Sequence, residues 1–310
     1  MIRRLLLLLV VLLWGCQPAQ VAMPLRVGSN QWIGYEPVYL ARSLGWLDER
    51  KVRLVELPSS TQVMQALMHG NLEAGMLTLD EVLTLRARGV PLKVIALMDF
   101  SEGADVLVGR PGMRLGDLRG KRIGVENTAV GAILLDAALR AAGLTTNDVE
   151  VVPVEVDNHV EAFRSGRVDA VVTFEPSRSR LLAEGGVVLF DSSRIPGRII
   201  DVLAVRANAL PEHSGQIEHL LQAYYRALDY LQEHRQAACQ RIAPRLHLSP
   251  QAVCESYSGI RLPPRALSRA WLGDGTLEQR AAELADLMYR RGLLPQPVSS
   301  AGLAEPRFLR

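Results

Sequence analysis

The sequence predicts an α/β fold that is built from two similar lobes. Short apolar runs alternate with helical stripes from Leu25 onward, and this alternation is typical of sheets with parallel strands. The alternation starts again at Lys121, and after Val205 only helical stripes follow. We therefore expect two βαβ series, one in each lobe, and a C-terminal helical part that packs on the first lobe.

The predicted elements follow in chain order. The first series contains strands at residues 25–28, 52–57, 74–77 and 92–97 and helices at 37–47, 63–67 and 81–88. Ser59, Ser60 and Thr61 supply an N-cap for the second of these helices. The second series contains strands at 121–125, 150–156 and 168–174 and helices at 131–142 and 159–165.

An internal repeat supports the division into two lobes. Residues 66–74 and 162–170 share an Ala, a Gly four positions later, an aliphatic residue, an acidic residue and a final Ala. Each copy predicts a helix that ends at its Gly, followed by a buried strand. Chance similarity of so short a pattern is the alternative, but the copies lie at matching places in the two series.

The C-terminal part is predicted to be helical, with apolar stripes at residues 220–231 and 277–288. From Pro295 onward we expect the chain to follow the surface. Cys239 and Cys254 flank a predicted turn at residues 244–250, which permits a disulfide. Two buried free thiols explain this pair of cysteines equally well.

The N-terminus has the pattern of an export signal. Arg3 and Arg4 precede an apolar run at residues 5–13, which is too short to span a bilayer. The run ends in Leu-Trp-Gly-Cys at residues 13–16, which resembles the lipobox of bacterial lipoproteins. The resemblance implies cleavage after residue 15, acylation of Cys16 and a tether over residues 16–23. An ordinary signal peptide with a chance cysteine is the alternative.

Charge excludes one class of partner. The 310 residues carry a formal charge of +2, and the two excess basic residues, Arg3 and Arg4, lie within the predicted signal. The mature chain then has 33 basic and 33 acidic side chains. A neutral protein has no electrostatic basis for binding nucleic acid.

Several segments together resemble the substrate-binding proteins of ABC importers, in the branch that serves nitrate, sulfonates, taurine and thiamine-pyrimidine precursors. They are residues 32–41 (WIGYEPVYLA), 77–81 (LTLDE), 103–105 (GAD), 120–125 (GKRIGV), 173–176 (TFEP) and 199–201 (IID). The resemblance implies the type II periplasmic-binding-protein fold, with two crossing hinge strands near residues 99–108 and 199–205. It also implies a first lobe from residues 24–100 and 205–310 and a second lobe from residues 101–204.

The resemblance further implies a ligand, partner proteins and a location for the protein. We expect a small-molecule ligand, ABC permease and ATPase subunits as partners, and a monomer held at the cell envelope by its lipid anchor alone, facing the periplasm or exterior. A sensory or assembly protein with the same anchor and fold is the alternative. No enzyme activity, cofactor or metal is expected: the six histidines lack metal-ligand spacing, and neither Gly-x-Ser-x-Gly nor a phosphate-binding Gly-rich loop is present.

Ligands of open α/β sheets lie beyond the carboxyl ends of the strands, so residues that follow strands or lie on the hinge strands are the candidates. Trp32 is the first choice because indole combines an apolar face with an N–H donor, although it can also simply pack the first helix. Ser60, Asp80, Asn127 and Thr128 have helix capping as the alternative role, and Asp105 and Asp201 have capping of a neighbouring backbone turn as theirs. The full set of predicted ligand-binding residues is Asn30, Trp32, Tyr35, Ser60, Thr78, Asp80, Asp105, Asn127, Thr128, Glu175 and Asp201.

Two features of this set favour different ligands. Asn127 and Thr128 begin a predicted helix, and helix N-termini suit carboxylate, sulfonate or phosphate groups. Four carboxylates are predicted around the cleft, with no basic residue at an equivalent strand end; they belong to Asp80, Asp105, Glu175 and Asp201. We expect a cationic or nitrogen-rich ligand, such as a pyrimidine, because amines and heterocyclic N–H groups donate to carboxylates.

Overall fold

The computed structural model describes residues 23–126 and 128–309. Its strands are β1 (Leu25–Ser29), β2 (Val52–Glu56), β3 (Ala74–Thr78), β4 (Leu92–Ser101), β5 (Val106–Gly109), β6 (Arg122–Val125), β7 (Glu150–Pro153), β8 (Ala170–Thr173), β9 (Val187–Asp191), β10 (Ile200–Arg206) and β11 (Ile260–Arg261). Its α-helices are α1 (Glu36–Ser43), α2 (Ser60–Met68), α3 (Leu79–Ala87), α4 (Ala129–Ala141), α5 (His159–Arg164), α6 (Ser177–Ala183), α7 (Ser214–Glu233), α8 (Arg235–Leu246), α9 (Pro250–Ser256), α10 (Arg265–Gly273) and α11 (Thr276–Arg290). The predicted signal, the acylated Cys16 and Asn127 lie outside the described residues.

The strands form two sheets. The six-stranded sheet has the order β11-β4-β10-β3-β1-β2, and the five-stranded sheet has the order β7-β6-β8-β5-β9. We call the first sheet, with α1–α3 and α7–α11, the first lobe, and the second sheet, with α4–α6, the second lobe. The chain passes between the lobes twice, from β4 to β5 and from β9 to β10.

Both sheets are mixed, whereas the sequence predicted parallel strands. In the first sheet β1 pairs in parallel with β2 and β3, but β10 runs antiparallel to β3 and β4. In the second sheet β5 runs antiparallel to β8 and β9. The strands predicted within each βαβ series are parallel to one another. The antiparallel strands β5 and β10 lie in the predicted hinge segments, and each enters its sheet from the other lobe without the crossover helix that makes neighbours parallel.

The internal repeat has the same geometry in both lobes. Gly70 and Gly166 follow their helices with φ of 74° and 76°, the left-handed conformation that glycine tolerates best. The acidic residue of each copy then pairs with an arginine on the neighbouring parallel strand, Glu73 with Arg26 and Asp169 with Arg122. Each carboxylate also accepts a hydrogen bond from that arginine's backbone N–H at 2.9 Å.

The C-terminal part packs on the first lobe. Helix α7 packs against α1, α11 against α3, and α10 against β4. The tail from residue 295 onward follows the surface over most of its length, as predicted, but it is anchored there: Leu303 and Leu309 are fully buried, and Ala304 bridges to Val94 on β4. These apolar side chains cover the end of the first sheet, which the prolines around them did not reveal.

The two cysteines left open by the sequence form a disulfide, which links α8 to α9. It closes a short loop that includes the connection between these helices, and such a loop contributes about 3 kcal/mol to the free energy of unfolding. No helix in the described part of the chain is both long enough and apolar enough to cross a bilayer.

Candidate ligand-binding site

The ends of strands from both lobes enclose one small cavity. Asn30, Trp32 and Tyr35 follow β1, Thr78 ends β3, and Asp201 lies near the start of β10. The second lobe contributes the residues after β6 and β8. The cavity measures ≈ 20 Å³, which is room for about one water molecule. Its full lining is Asn30, Trp32, Tyr35, Ser60, Thr78, Glu81, Asp105, Glu126, Val130, Phe174 and Asp201.

Trp32 links the two lobes across this cavity. Its indole Nε1–H donates a hydrogen bond to Asp99 Oδ2 at 2.9 Å, which fixes the plane of the ring. The ring meets Phe174 of the second lobe edge to face, with 5.1 Å between the ring centroids. Such aromatic pairs add about 0.5–1.5 kcal/mol beyond the burial of their area. Trp32 therefore lines the cavity, as predicted, and packs against the second lobe.

Tyr35 and Trp32 each engage one carboxylate of the hinge strands. The Tyr35 hydroxyl donates to Asp201 Oδ1, and Trp32 donates to Asp99. Asp99 on β4 and Asp201 on β10 are direct partners in the antiparallel register. Asp201 lines the cavity, and Asp99 lies immediately behind it.

The lining is strongly acidic. Glu81, Asp105, Glu126 and Asp201 face the cavity, and all four are buried. None of the lining residues in the described part of the chain is Lys, Arg or His. Burying several carboxylates without a cation is unfavourable, so this arrangement indicates either bound protons or a cationic occupant.

Burial shifts these acids toward their protonated forms. It raises the pKa of Asp105 to about 7 and that of Asp99 to about 7. Burial, and then the charge of Asp99, raises the pKa of Asp201 well above its usual range. Burial, and then the charges of Asp80 and Glu126, does the same to the pKa of Glu81. The empty cavity therefore favours the neutral forms of these acids near neutral pH.

Hydrogen bonds between the lobes close the site. Glu126, after β6, accepts hydrogen bonds at Oε1 from the Thr61 hydroxyl at 2.9 Å and from the Thr61 backbone N–H at 3.2 Å. Nearby, Gln62 Nε2 donates to Glu155 Oε2 at 3.4 Å. Ser59 caps α2 by accepting a hydrogen bond from the Gln62 backbone N–H. The hydroxyl and the backbone N–H of Thr61 are therefore not needed for the cap and can donate to Glu126 across the cleft.

The structure places most of the sequence-predicted residues on this cavity, but not all of them. Asp80 is buried at the start of α3 outside the lining, and Thr128 precedes α4 and borders a neighbouring groove. Asn127 lies outside the described residues. The predicted residues that line the cavity are Asn30, Trp32, Tyr35, Ser60, Thr78, Asp105 and Asp201.

Glu175 does not face the cavity in this structure. Its carboxylate accepts hydrogen bonds from Arg178 Nη1 at 3.0 Å and from the hydroxyl and backbone N–H of Ser179. The carboxylate therefore turns toward α6, where the positive end of the helix and Arg178 stabilise it. Its neighbour Phe174 faces the cavity instead.

Sequence analysis missed Glu81, Glu126, Val130 and Phe174, which line the cavity, and Asp99 behind it. Glu126 directly follows the predicted strand that ends at Val125, so the rule applied to the other candidates would have found it. Glu81 read as an ordinary helix residue. Asp99 is the first residue of the hinge segment predicted near residues 99–108, and the structure places it within β4, which extends to Ser101.

The donor groups do not form a metal site. No group of three or more His, Cys, Asp and Glu side chains in the described part of the chain could hold a metal ion. The buried acids are spread around the cavity on separate strands and helices, an arrangement that can surround an organic cation with several N–H donors.

Known proteins share this organisation. A sequence model of the NMT1-like family matches residues 19–246. An Escherichia coli (strain K12) protein named as an aliphatic sulfonates-binding protein is 27% identical over 282 residues, which is 88% of this chain and 86% of that protein. A Haemophilus influenzae protein named as a thiamine biosynthesis protein is 26% identical over 226 residues, which is 69% of this chain and 68% of that protein.

Solved structures agree with the predicted fold. The alkanesulfonate-binding protein SsuA from Xanthomonas axonopodis pv. citri, bound to MOPS, has a TM-score of 0.78 at 21% identity. The match covers 93% of this chain and 99% of that one. The predicted two-lobed type II periplasmic-binding-protein fold is thereby confirmed.

Proposed function

The chain belongs to the NMT1-like family, and on that premise we propose that it is the substrate-binding protein of an ABC importer. Its ligand is a small cationic or nitrogen-rich molecule, captured between the lobes and delivered to the permease. Cys16 carries the lipid anchor that holds the mature protein at the cell envelope, facing the periplasm or exterior. The protein works as a monomer and catalyses no reaction.

The acidic lining of the cavity carries the ligand assignment. A cation with N–H donors can pair with Asp105, Glu81 and Asp201, and each such charge-assisted hydrogen bond is stronger than one between neutral groups. A sulfonate would have to occupy the same space with each of these acids protonated, and no basic residue in the described lining could neutralise it. The ligand class thus differs from the one in the names of the sulfonate-binding relatives.

Closure of the lobes supports a capture mechanism. The cavity holds about one water molecule, so a larger ligand enters through an open form in which the lobes have separated. The contacts between Thr61 and Glu126 and between Trp32 and Phe174 break in that form and return on closure. The hinge is the pair of chain crossings between the sheets, where rotation needs little change elsewhere.

A thermal-shift panel tests the ligand class. It contains primary amines, amidines and aminopyrimidines on one side and taurine, methanesulfonate and nitrate on the other. A ligand at about 100 times its Kd adds about 2.7 kcal/mol to the free energy of unfolding. We expect a stabilising member among the nitrogen-containing cations and a weaker effect in Asp105→Asn. Stabilisation by sulfonates or nitrate, and by no cation, would refute the proposal.

A further inference from the structure

Asp99 and Asp201 form an unusual pair at the hinge. They lie opposite each other on β4 and β10, and each of these strands connects directly to the second lobe. Side chains at opposed positions of an antiparallel pair lie within reach of each other. Asp99 is completely buried and Asp201 is 2% exposed. Two carboxylates therefore share one buried location.

The hydrogen bonds of the pair are incomplete. Asp99 Oδ2 accepts from Trp32 Nε1, and Asp201 Oδ1 accepts from the Tyr35 hydroxyl. The other oxygen of each residue, Asp99 Oδ1 and Asp201 Oδ2, is buried and has no hydrogen-bond donor. One proton between the two carboxyl groups satisfies both oxygens, because a neutral acid then donates to its ionised neighbour.

The surroundings favour retention of that proton. The charged groups that act on the pair are all acidic: Asp105 acts on both residues, and Glu81 of α3 acts on Asp201. The tyrosine hydroxyls near the pair stay neutral because burial raises their pKa well above its usual range. None of the described residues that line the adjoining cavity is Lys, Arg or His. The tyrosines are Tyr35 before α1, Tyr224 of α7 and Tyr257 after α9.

We propose that Asp99 and Asp201 share one proton in the ligand-free protein and that a cationic ligand group displaces it, so that capture releases one proton to solvent. Asp201 contacts the cation, and Asp99 is a positioning residue that acts through Asp201. The proton passes to water or a buffer base, and no covalent bond of the ligand changes. The proposal rests on the proposed ligand class. It makes cation binding tighter as the pH rises and couples release to acidification.

The pH dependence of thermal unfolding tests the shared proton without any ligand. A carboxyl group whose pKa is raised in the folded state stabilises the protein below its ordinary pKa. This contribution is lost as the pH rises through the folded pKa, about 7 for Asp99. The wild-type Tm is therefore expected to fall between pH ~5.5 and ~8.5. The other raised acids of the cavity contribute to the same fall, so variants must isolate the pair.

Asp99→Asn and Asp201→Asn isolate the pair because an asparagine amide takes the place of the proton. Its carbonyl still accepts from Trp32 or Tyr35, and its NH₂ group donates to the remaining carboxylate. Over this pH range, the Tm of each variant should fall by several degrees less than the Tm of the wild type. Asp286→Asn, which removes an exposed acid on α11, should match the wild type. Equal slopes in all the proteins would overturn the shared proton.

Infrared spectroscopy of the wild-type protein tests the exchange even if the variants fail to fold. A protonated carboxylic acid should be visible near neutral pH. On addition of methylammonium chloride its intensity should fall by that of one carboxyl group, because the other raised acids of the cavity also contribute to the signal. Sodium chloride at equal ionic strength should leave the intensity unchanged. Absence of the acid signal, or an unchanged intensity with methylammonium, would overturn the exchange. If only sulfonates bind, the proposed ligand class is refuted. The pH profile of the pair still tests the shared proton in that case, so the two proposals can fail separately.

Discussion

Replacement of Gly34 by alanine should disrupt the site through a single methyl group. A Cβ atom at this position would lie 1.7 Å from Asp99 Oδ2, 2.5 Å from Asp99 Cγ and 2.6 Å from Trp32 Nε1. Asp99 is completely buried and cannot move into solvent. The hydrogen bond between Trp32 and Asp99 must therefore break, or the segment that begins α1 must shift.

The expected loss follows from these contacts. A hydrogen bond to an ionised group contributes about 1.5–3 kcal/mol, and insertion of a methyl group into a packed core costs a further ~1–3 kcal/mol. Gly34→Ala should then lower the free energy of unfolding by about 2.5–6 kcal/mol. Since 1 kcal/mol shifts the Tm of a chain of this size by roughly 1.6 °C, we expect a decrease of about 4 °C or more.

Differential scanning fluorimetry measures this decrease, with Gly215→Ala as the matched control. Gly215 lies in α7 with no atom within 4 Å of a Cβ, so alanine there should leave the Tm unchanged or raise it slightly. The cation that stabilises the wild type most should also bind Gly34→Ala more weakly. A Gly34→Ala protein with the Tm of its control would show that Trp32 and Asp99 are not placed as described.

Two further predictions concern closure and anchoring. Thr61→Val removes the hydroxyl that donates to Glu126 across the cleft, which should weaken cation binding by about 5–30-fold in calorimetry, or ~1–2 kcal/mol. Thr84→Val, whose hydroxyl donates within α3, should bind as the wild type does; equal affinity of both variants would contradict a role for the Thr61 contact. Cys16→Ser should move the protein from the membrane fraction to the soluble fraction, and retention in the membrane would contradict lipid attachment at Cys16.

Local patterns predicted the fold because each lobe repeats one simple unit. The pattern around Gly70 and Gly166 marks the end of a helix and the start of a buried strand, and the structure has that geometry in both lobes. The directions of β5 and β10 could not be predicted from local sequence patterns. Strand direction depends on which lobe a strand comes from, and the sequence of β5 or β10 carries no local sign of that origin.

The sequence predicted site residues where the side chain at a strand end has no obvious structural role. Trp32, Asp105 and Asp201 were found because polar or aromatic groups there have few structural explanations. Asp99 lies at the start of the hinge segment predicted near residues 99–108, but it was not among the residues chosen there, because nothing local distinguishes it from a residue that only extends β4. Glu175 was assigned to the cleft because it follows a strand, but the sequence does not show that Arg178, one turn later, draws its carboxylate away.

The proposed ligand class differs from the one in the names of the sulfonate-binding relatives. The family and the fold are shared, but a ligand is selected by the side chains at the strand ends. Here those side chains are Glu81, Asp105, Glu126 and Asp201. We propose that they set the sign of charge that the closed site accepts.

Native mass spectrometry of the freshly purified protein tests this selection most directly. The closed site should retain its ligand during gentle purification, and fragmentation of the complex then identifies the released molecule. We expect a nitrogen-containing cation that carries no sulfonate group and whose amount is reduced in Asp105→Asn. A co-purified sulfonate, nitrate or other anion would contradict the account.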